Sequence, residues 1–150
     1  MDLRSRRDTV RLGHAIAALL EPSMLVLLSG DLGAGKTFLA RSICRGLGVP
    51  AQDRITSPTF SLVHEYEVSR GVLLHADLYR LRDAKDVATE IGRLGLAERR
   101  REGAIALVEW GNELGSLLGF AYDLQVTLTR ADAGRAASFD GPLAKHLSTK

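Results

Sequence analysis

Eight consecutive residues carry the plainest chemistry in this chain: Gly30-Asp31-Leu32-Gly33-Ala34-Gly35-Lys36-Thr37 fits the pattern G-x-x-x-x-G-K-[ST]. Glycines at these spacings let successive backbone N–H groups turn inward as a nest for phosphate oxygens, and the positive end of a following helix adds to the attraction. Asp31, Leu32, Gly33, Ala34, Gly35 and Phe38 would form the cradle, with Lys36 reaching the β- and γ-phosphates and the Thr37 hydroxyl ligating Mg²⁺. A Gly-rich turn with an incidental lysine has no need of a strand before it and a helix after it. Here both flanks are present, and the reading is a nucleoside-triphosphate site.

Such a loop requires an acid at the end of a nearby strand. Two carboxylates qualify: Glu109 ends the run Ile105–Val108, and Asp77 follows Val72–Leu74 through His75-Ala76. One would stand near the metal while the other orients or deprotonates the attacking water, and spacing does not say which does which. The plain alternative for either is a strand-end carboxylate in a solvated ion pair. Ser57-Pro58-Thr59-Phe60 places hydroxyls in a loop before a strand, where Thr59 could sense a γ-phosphate as switch segments do; a capped turn reads almost as well. His75 could act as a base, although a lone histidine is more often structural. The run Arg99-Arg100-Arg101 reads better as a solvated helix face than as an RNA contact. Trp110 reads as packing, and Cys44 as a small buried hydrophobe.

The elements that must position these residues are legible from pattern. Apolar residues Val10, Leu12, Ile16, Leu19 and Leu20 fall at helical spacing, with Asp8 as the expected cap and Pro22 as the stop. Met24–Leu28 is a short unbroken apolar run, as expected of a strand buried on both faces. Phe38–Leu47 reads as a helix ended by Gly48 and Pro50. Residues 60–68 and 72–74 flank the turn Ser69-Arg70-Gly71 and read as a hairpin. Residues 83–101 are charged and helical in character, Ile105–Val108 is a second buried strand, and Tyr122–Leu128 alternates. Ala136–Asp140 is expected as a last edge strand. Strands separated by helices predict an α/β single-domain P-loop NTPase fold, with a mostly parallel central sheet, flanking helices and an inserted antiparallel hairpin. The domain is expected to span 1–150, with 1–7 and 142–150 poorly ordered.

Composition narrows the function classes. The 150 residues carry 20 Lys+Arg against 18 Asp+Glu, a formal excess of two charges that supports no large basic surface for nucleic acid. A single cysteine excludes an internal disulfide framework and a four-cysteine zinc site. No apolar run approaches the roughly 18 residues of a membrane helix, and the opening MDLRSRRDTV lacks the apolar core of a signal peptide. The expectation is a cytoplasmic, soluble domain with little sequence left over for a phosphoacceptor pocket.

Taken in order, GDLGAGKTFLAR (30–41), SPTFSLVHEY (57–66), HADLYRL (75–81) and VEWGNEL (108–114) resemble the TsaE family, the small bacterial ATPases of tRNA threonylcarbamoyladenosine biosynthesis. The first motif is generic to many NTPases; the other three, at this spacing, are specific. The resemblance runs from about residue 9 to residue 141. It implies ATP with Mg²⁺, slow hydrolysis by the isolated chain, and assembly with the proteins TsaB and TsaD, which transfer threonylcarbamoyl to the adenosine beside the anticodon. By position it also implies that Lys36 binds phosphate, that Thr37 and Glu109 attend the metal, that Thr59 lies in the switch-like segment and that Asp77 is the acid of the D-L-Y-R motif. Two positions depart from the family pattern, Ala76 for an aromatic residue and Gly111 for a proline. Other classes open to a phosphate loop are a small-molecule kinase and an adaptor that signals by binding alone.

Overall fold

The structure is a computed structural model that describes residues 1–56, 58, 62–110 and 121–148. Seven strands and four α-helices follow one another as β1 (Asp2–Leu3), α1 (Arg6–Leu19), β2 (Leu25–Gly30), α2 (Lys36–Gly46), β3 (Val63–Val68), β4 (Gly71–Asp77), α3 (Val87–Arg93), α4 (Leu96–Arg101), β5 (Ile105–Glu109), β6 (Leu124–Ala131) and β7 (Gly134–Asp140), with short 3-10 turns at Tyr79–Asp83 and Ala144–His146.

All seven strands join one sheet in the order β1-β7-β6-β2-β5-β4-β3. Its centre is parallel: β6, β2, β5 and β4 run the same way, and the unbroken apolar strands β2 and β5 are buried on both faces. Both margins are antiparallel, through the expected hairpin β3–β4 on one side and β6–β7–β1 on the other. The sheet is therefore mixed, with two antiparallel intrusions where sequence suggested one. The strand expected at the edge, β7, lies inside, because the dipeptide strand β1 pairs with it at Asp2↔Ala136 and Leu3↔Arg135. The end segments expected to be poorly ordered carry β1, the start of α1 and the last 3-10 turn, and Leu3 and Leu147 are buried.

Helix α1 starts one turn earlier than expected. Ser5 is its cap: the Ser5 hydroxyl accepts from the Asp8 amide at 3.2 Å, and the Asp8 carboxylate accepts from the Ser5 amide at 2.8 Å. This reciprocal box satisfies two amides at once and holds the Asp8 carboxyl below its usual range, chiefly through the Ser5 side-chain hydrogen bond. At the other end Arg70 donates to the carbonyls of Ala17 and of the cap residue Leu20, adding to the bond that the Ala17 carbonyl accepts from the Leu20 amide.

Side chains alternate across the sheet to build two cores. Val26, Leu28, Ile105, Leu107, Leu124 and Val126 face α1 and α2, meeting Leu12, Ile16, Leu39 and Ile43. Leu25, Leu27, Leu74, Ala106 and Val108 face the other way, onto Leu78, Leu81, Ile91 and Leu96. The second layer is thinner, since residues 83–101 form two short helices with Gly95 at the start of α4 in the left-handed region (φ 69°). Two of the three consecutive arginines of α4 have local partners: Arg99 donates to Glu65 at 2.9 Å, and Arg100 donates to the Ser23 carbonyl at 2.9 Å. Among the described residues no helix is long and apolar enough to cross a membrane.

Candidate nucleotide site

Strands β2, β5 and β4 end side by side, with Leu28 opposite Glu109 and Glu109 opposite Asp77. In open α/β sheets, ligands bind outside these carboxyl ends. The phosphate loop leaves β2 there at Gly30, whose backbone (φ 134°) and position 2.3 Å from the Leu128 carbonyl oxygen, measured from an ideal Cβ, admit no side chain. Gly35, at φ 102°, is the N-cap of α2 and offers no side-chain acceptor to the first amides of that helix. Those amides therefore face the loop concavity, where the helix dipole favours an anion.

Lys36 is buried at the first position of α2. Its Nζ donates to the carbonyls of Gly30 (2.5 Å) and Asp31 (2.8 Å) and lies 3.9 Å from the centroid of the Trp110 ring. These contacts hold the ammonium inside the loop and against an aromatic face, beside the concavity that would take phosphate oxygens.

Glu109, 1% exposed, is the hub of the acidic side. Its Oε1 accepts from the Thr37 hydroxyl at 2.8 Å, and its Oε2 lies 2.6 Å from His75 Nε2. A buried carboxylate is costly unless both oxygens are engaged, and here both are. His75 is fully buried, and among the described residues its Nδ1 has no hydrogen-bond partner. Asp77 stands nearer the surface, and its Oδ1 accepts from the Tyr79 amide at 3.0 Å. Tyr79 packs on Trp110 with ring centroids 4.8 Å apart. Trp110 donates its amide to the Leu28 carbonyl at 2.8 Å and holds a left-handed backbone (φ 64°), an unusual conformation for a bulky residue. The turn brings its ring into the cleft beside Glu109.

The cleft so formed has a volume of about 320 Å³ and is lined by Leu32, Gly33, Gly35, Lys36, Thr37, Phe38, Asp77, Tyr79, Glu109 and Trp110. Leu32, Gly33, Gly35, Lys36, Thr37, Phe38, Asp77 and Glu109, all read as site residues from sequence, meet in it; Asp31 contributes a backbone carbonyl to Lys36, and buried Ala34 supports the loop from below. Thr59 lies outside the described residues, as do Ser57 and Gly111. Sequence reasoning carried Tyr79 and His75 as letters of the HADLYRL motif, gave Tyr79 no role at the site, and weighed His75 only as a lone histidine. The β4–β5 register that places His75 against Glu109 joins residues 34 apart, and no local spacing announces it.

The donor set suits magnesium. Thr37 and Glu109 offer hard oxygens, and among the described residues no group of three or more His, Cys, Asp or Glu could hold a metal unaided. Mg²⁺ is commonly bound by one or two carboxylates together with substrate phosphates and water.

The family model described as "Threonylcarbamoyl adenosine biosynthesis protein TsaE" matches residues 3–137. The chain belongs to the TsaE family. The tRNA threonylcarbamoyladenosine biosynthesis protein TsaE of Aquifex aeolicus is 43% identical over 108 residues, covering 72% of this chain and 73% of that protein. Its namesake in Rickettsia bellii is 40% identical over 116 residues, covering 77% and 76%. The crystal structure of Bacillus subtilis YdiB superposes with a TM-score of 0.65 at 30% identity, over 89% of this chain and 77% of that one. TsaE membership agrees with the α/β sandwich and with all four motifs on which the resemblance rested.

Proposed function

We propose that this TsaE family member binds and hydrolyses ATP as an accessory subunit in threonylcarbamoyladenosine modification of tRNA, working in the cytoplasm with TsaB and TsaD. The observation that carries the reading is the Thr37–Glu109 hydrogen bond beside buried Lys36, which assembles a phosphate loop, a metal-binding hydroxyl and an acid within one cleft.

The chain's own groups divide the work. Amides of the loop and of the first turn of α2 hold the phosphate oxygens, and Lys36 adds a full positive charge where negative charge grows in the transition state. Thr37 and Glu109 would hold Mg²⁺, which neutralises phosphate charge when bound. His75 fixes the Glu109 carboxylate from behind. Asp77, across the register from Glu109 and nearer the solvent, accepts the proton of the attacking water. Trp110 and Tyr79 shield the cleft from bulk water.

The test is ATP turnover by the purified chain with and without TsaB and TsaD, following Trp110 fluorescence as nucleotide is added. Slow turnover alone and faster turnover in the mixture support the subunit reading. Unchanged turnover with no complex formed overturns it, and rapid phosphorylation of a metabolite by the chain alone assigns a kinase instead.

A further inference from the structure

Four side chains form one continuous stack from the surface into the phosphate cleft. At the outer end Arg82, its side chain 42% exposed, holds its guanidinium carbon 4.0 Å from the centroid of the Tyr79 ring. Its Nη2 also donates to the Tyr79 hydroxyl at 2.9 Å, so two contacts fix that ring. Tyr79 packs on Trp110 at a centroid distance of 4.8 Å with the rings tilted by 49°. At the inner end the Lys36 ammonium stands 3.9 Å from the Trp110 centroid. Two aromatic rings thus lie between two cations, and each cation meets an electron-rich face.

Arg82 does not line the cleft, and the rings are its route to Lys36. It shares the 3-10 turn Tyr79–Asp83 with Tyr79, and buried Leu81 between them anchors that turn in the core. Its ion pair with the neighbouring Asp83, at 3.6 Å, is exposed and contributes little. The inner end has a chemical consequence. An ammonium has three protons, and Lys36 already serves the Gly30 and Asp31 carbonyls and lies over the indole. A phosphate oxygen entering the loop must draw it away from some of these groups. Trp110 is the one that a residue outside the cleft can steady. Its backbone (φ 64°) is rarely adopted by bulky residues, and Tyr79 packs against its ring.

We propose that Arg82 is a positioning residue for the nucleotide site: through Tyr79 it holds Trp110 against Lys36, a latch that opens when phosphate engages the lysine. This rests on the nucleotide-binding reading above. A latch lowers apparent affinity by the fraction of chains in which it stands open, so loosening its outer end tightens nucleotide binding. An arginine that merely attracts ATP would give the opposite sign when removed. One that merely braces its turn would change stability and leave affinity alone.

The experiment titrates Mg-ATP into the wild-type chain, Arg82→Gln and Arg82→Lys by calorimetry. It is run in about 0.5 M salt, where the Debye length is roughly 4 Å and the loss of an exposed charge is screened. Emission of the free chains reports Trp110 alone, because the chain has a single tryptophan. Arg82→Gln should shift that emission to the red and bind Mg-ATP about threefold more tightly, the factor expected of a partly exposed cation–π contact. Its turnover should stay within about twofold. Arg82→Lys, which keeps a cation at the outer end, should fall between the other two. Unchanged or weaker binding by Arg82→Gln, or tighter binding without the emission shift, overturns the proposal. So does an Arg82→Lys chain no closer to wild type than Arg82→Gln. Failure of the wild type to bind Mg-ATP overturns the phosphate-loop reading instead.

Discussion

Strand β2 has two unlike neighbours. On one side β5 and β4 present Glu109, His75 and Asp77, whose polar groups are knitted together before any ligand arrives. On the other side β6 and β7 present Arg130 and Arg135, facing each other with no acceptor among the described residues. The acidic flank stores its organisation in the folded protein: buried carboxylate and imidazole stabilise one another, and removing one strands the other. The basic flank holds no such set of bonds among the described residues. One loop is thus flanked by a rigid end for chemistry and an adaptable end.

The largest effect should come from Glu109→Gln, which keeps the shape and removes the charge: turnover should fall by about 1,000-fold, near 4 kcal/mol of barrier, in a steady-state ATPase assay. A variant with wild-type turnover would remove the acidic flank from the mechanism. His75→Ala should lower unfolding free energy by about 3 kcal/mol, read from the urea midpoint, because it leaves a buried carboxylate half-paired. Lys36→Ala should weaken ATP binding about 100-fold, roughly 2.7 kcal/mol, measured by calorimetry; equal affinity would sink the phosphate-loop assignment. Arg130→Ala should act with the opposite sign to His75→Ala on the free protein, raising stability by about 0.3 kcal/mol through relief of cross-strand repulsion. A loss of stability there would show that the arginine pair is structural. The smallest response belongs to Cys44, whose thiol is pushed up to about 12 by burial. Burial disfavours the thiolate, so at pH 8 the native chain should resist iodoacetamide, while urea-unfolded chain reacts readily.

How much of this was legible in the letters varies with how local the cause is. The loop 30–37 was legible because its geometry is dictated within eight residues: Gly30 and Gly35 need conformations and clearances that other residues lack. Strands β2 and β5 were legible because burial on both faces writes an unbroken apolar run, and Glu109 and Asp77 follow as strand ends. The cap of α1 was misplaced by one turn, since Ser5 and Asp8 are both good capping residues and only their reciprocal bonds assign the roles. Strand β1 has two residues and no periodicity, so nothing marked it, and without it β7 looked like an edge. The His75–Glu109 contact and the Arg130–Arg135 pairing depend on strand register, which local patterning does not express.

The neighbours of β2 also set an order of events during synthesis. The phosphate loop is complete once residue 37 has been made. Its host strand, however, pairs with residues 105–109 on one side and with residues 124–131 on the other. Those contacts close loops of some 70 to 100 residues, and the entropy of closing them must be met before the strand is held. A ribosome-bound chain that stops short of β6 therefore has the complete nucleotide-binding motif and only half of its support, and affinity for ATP should arrive late, as the last quarter of the chain emerges.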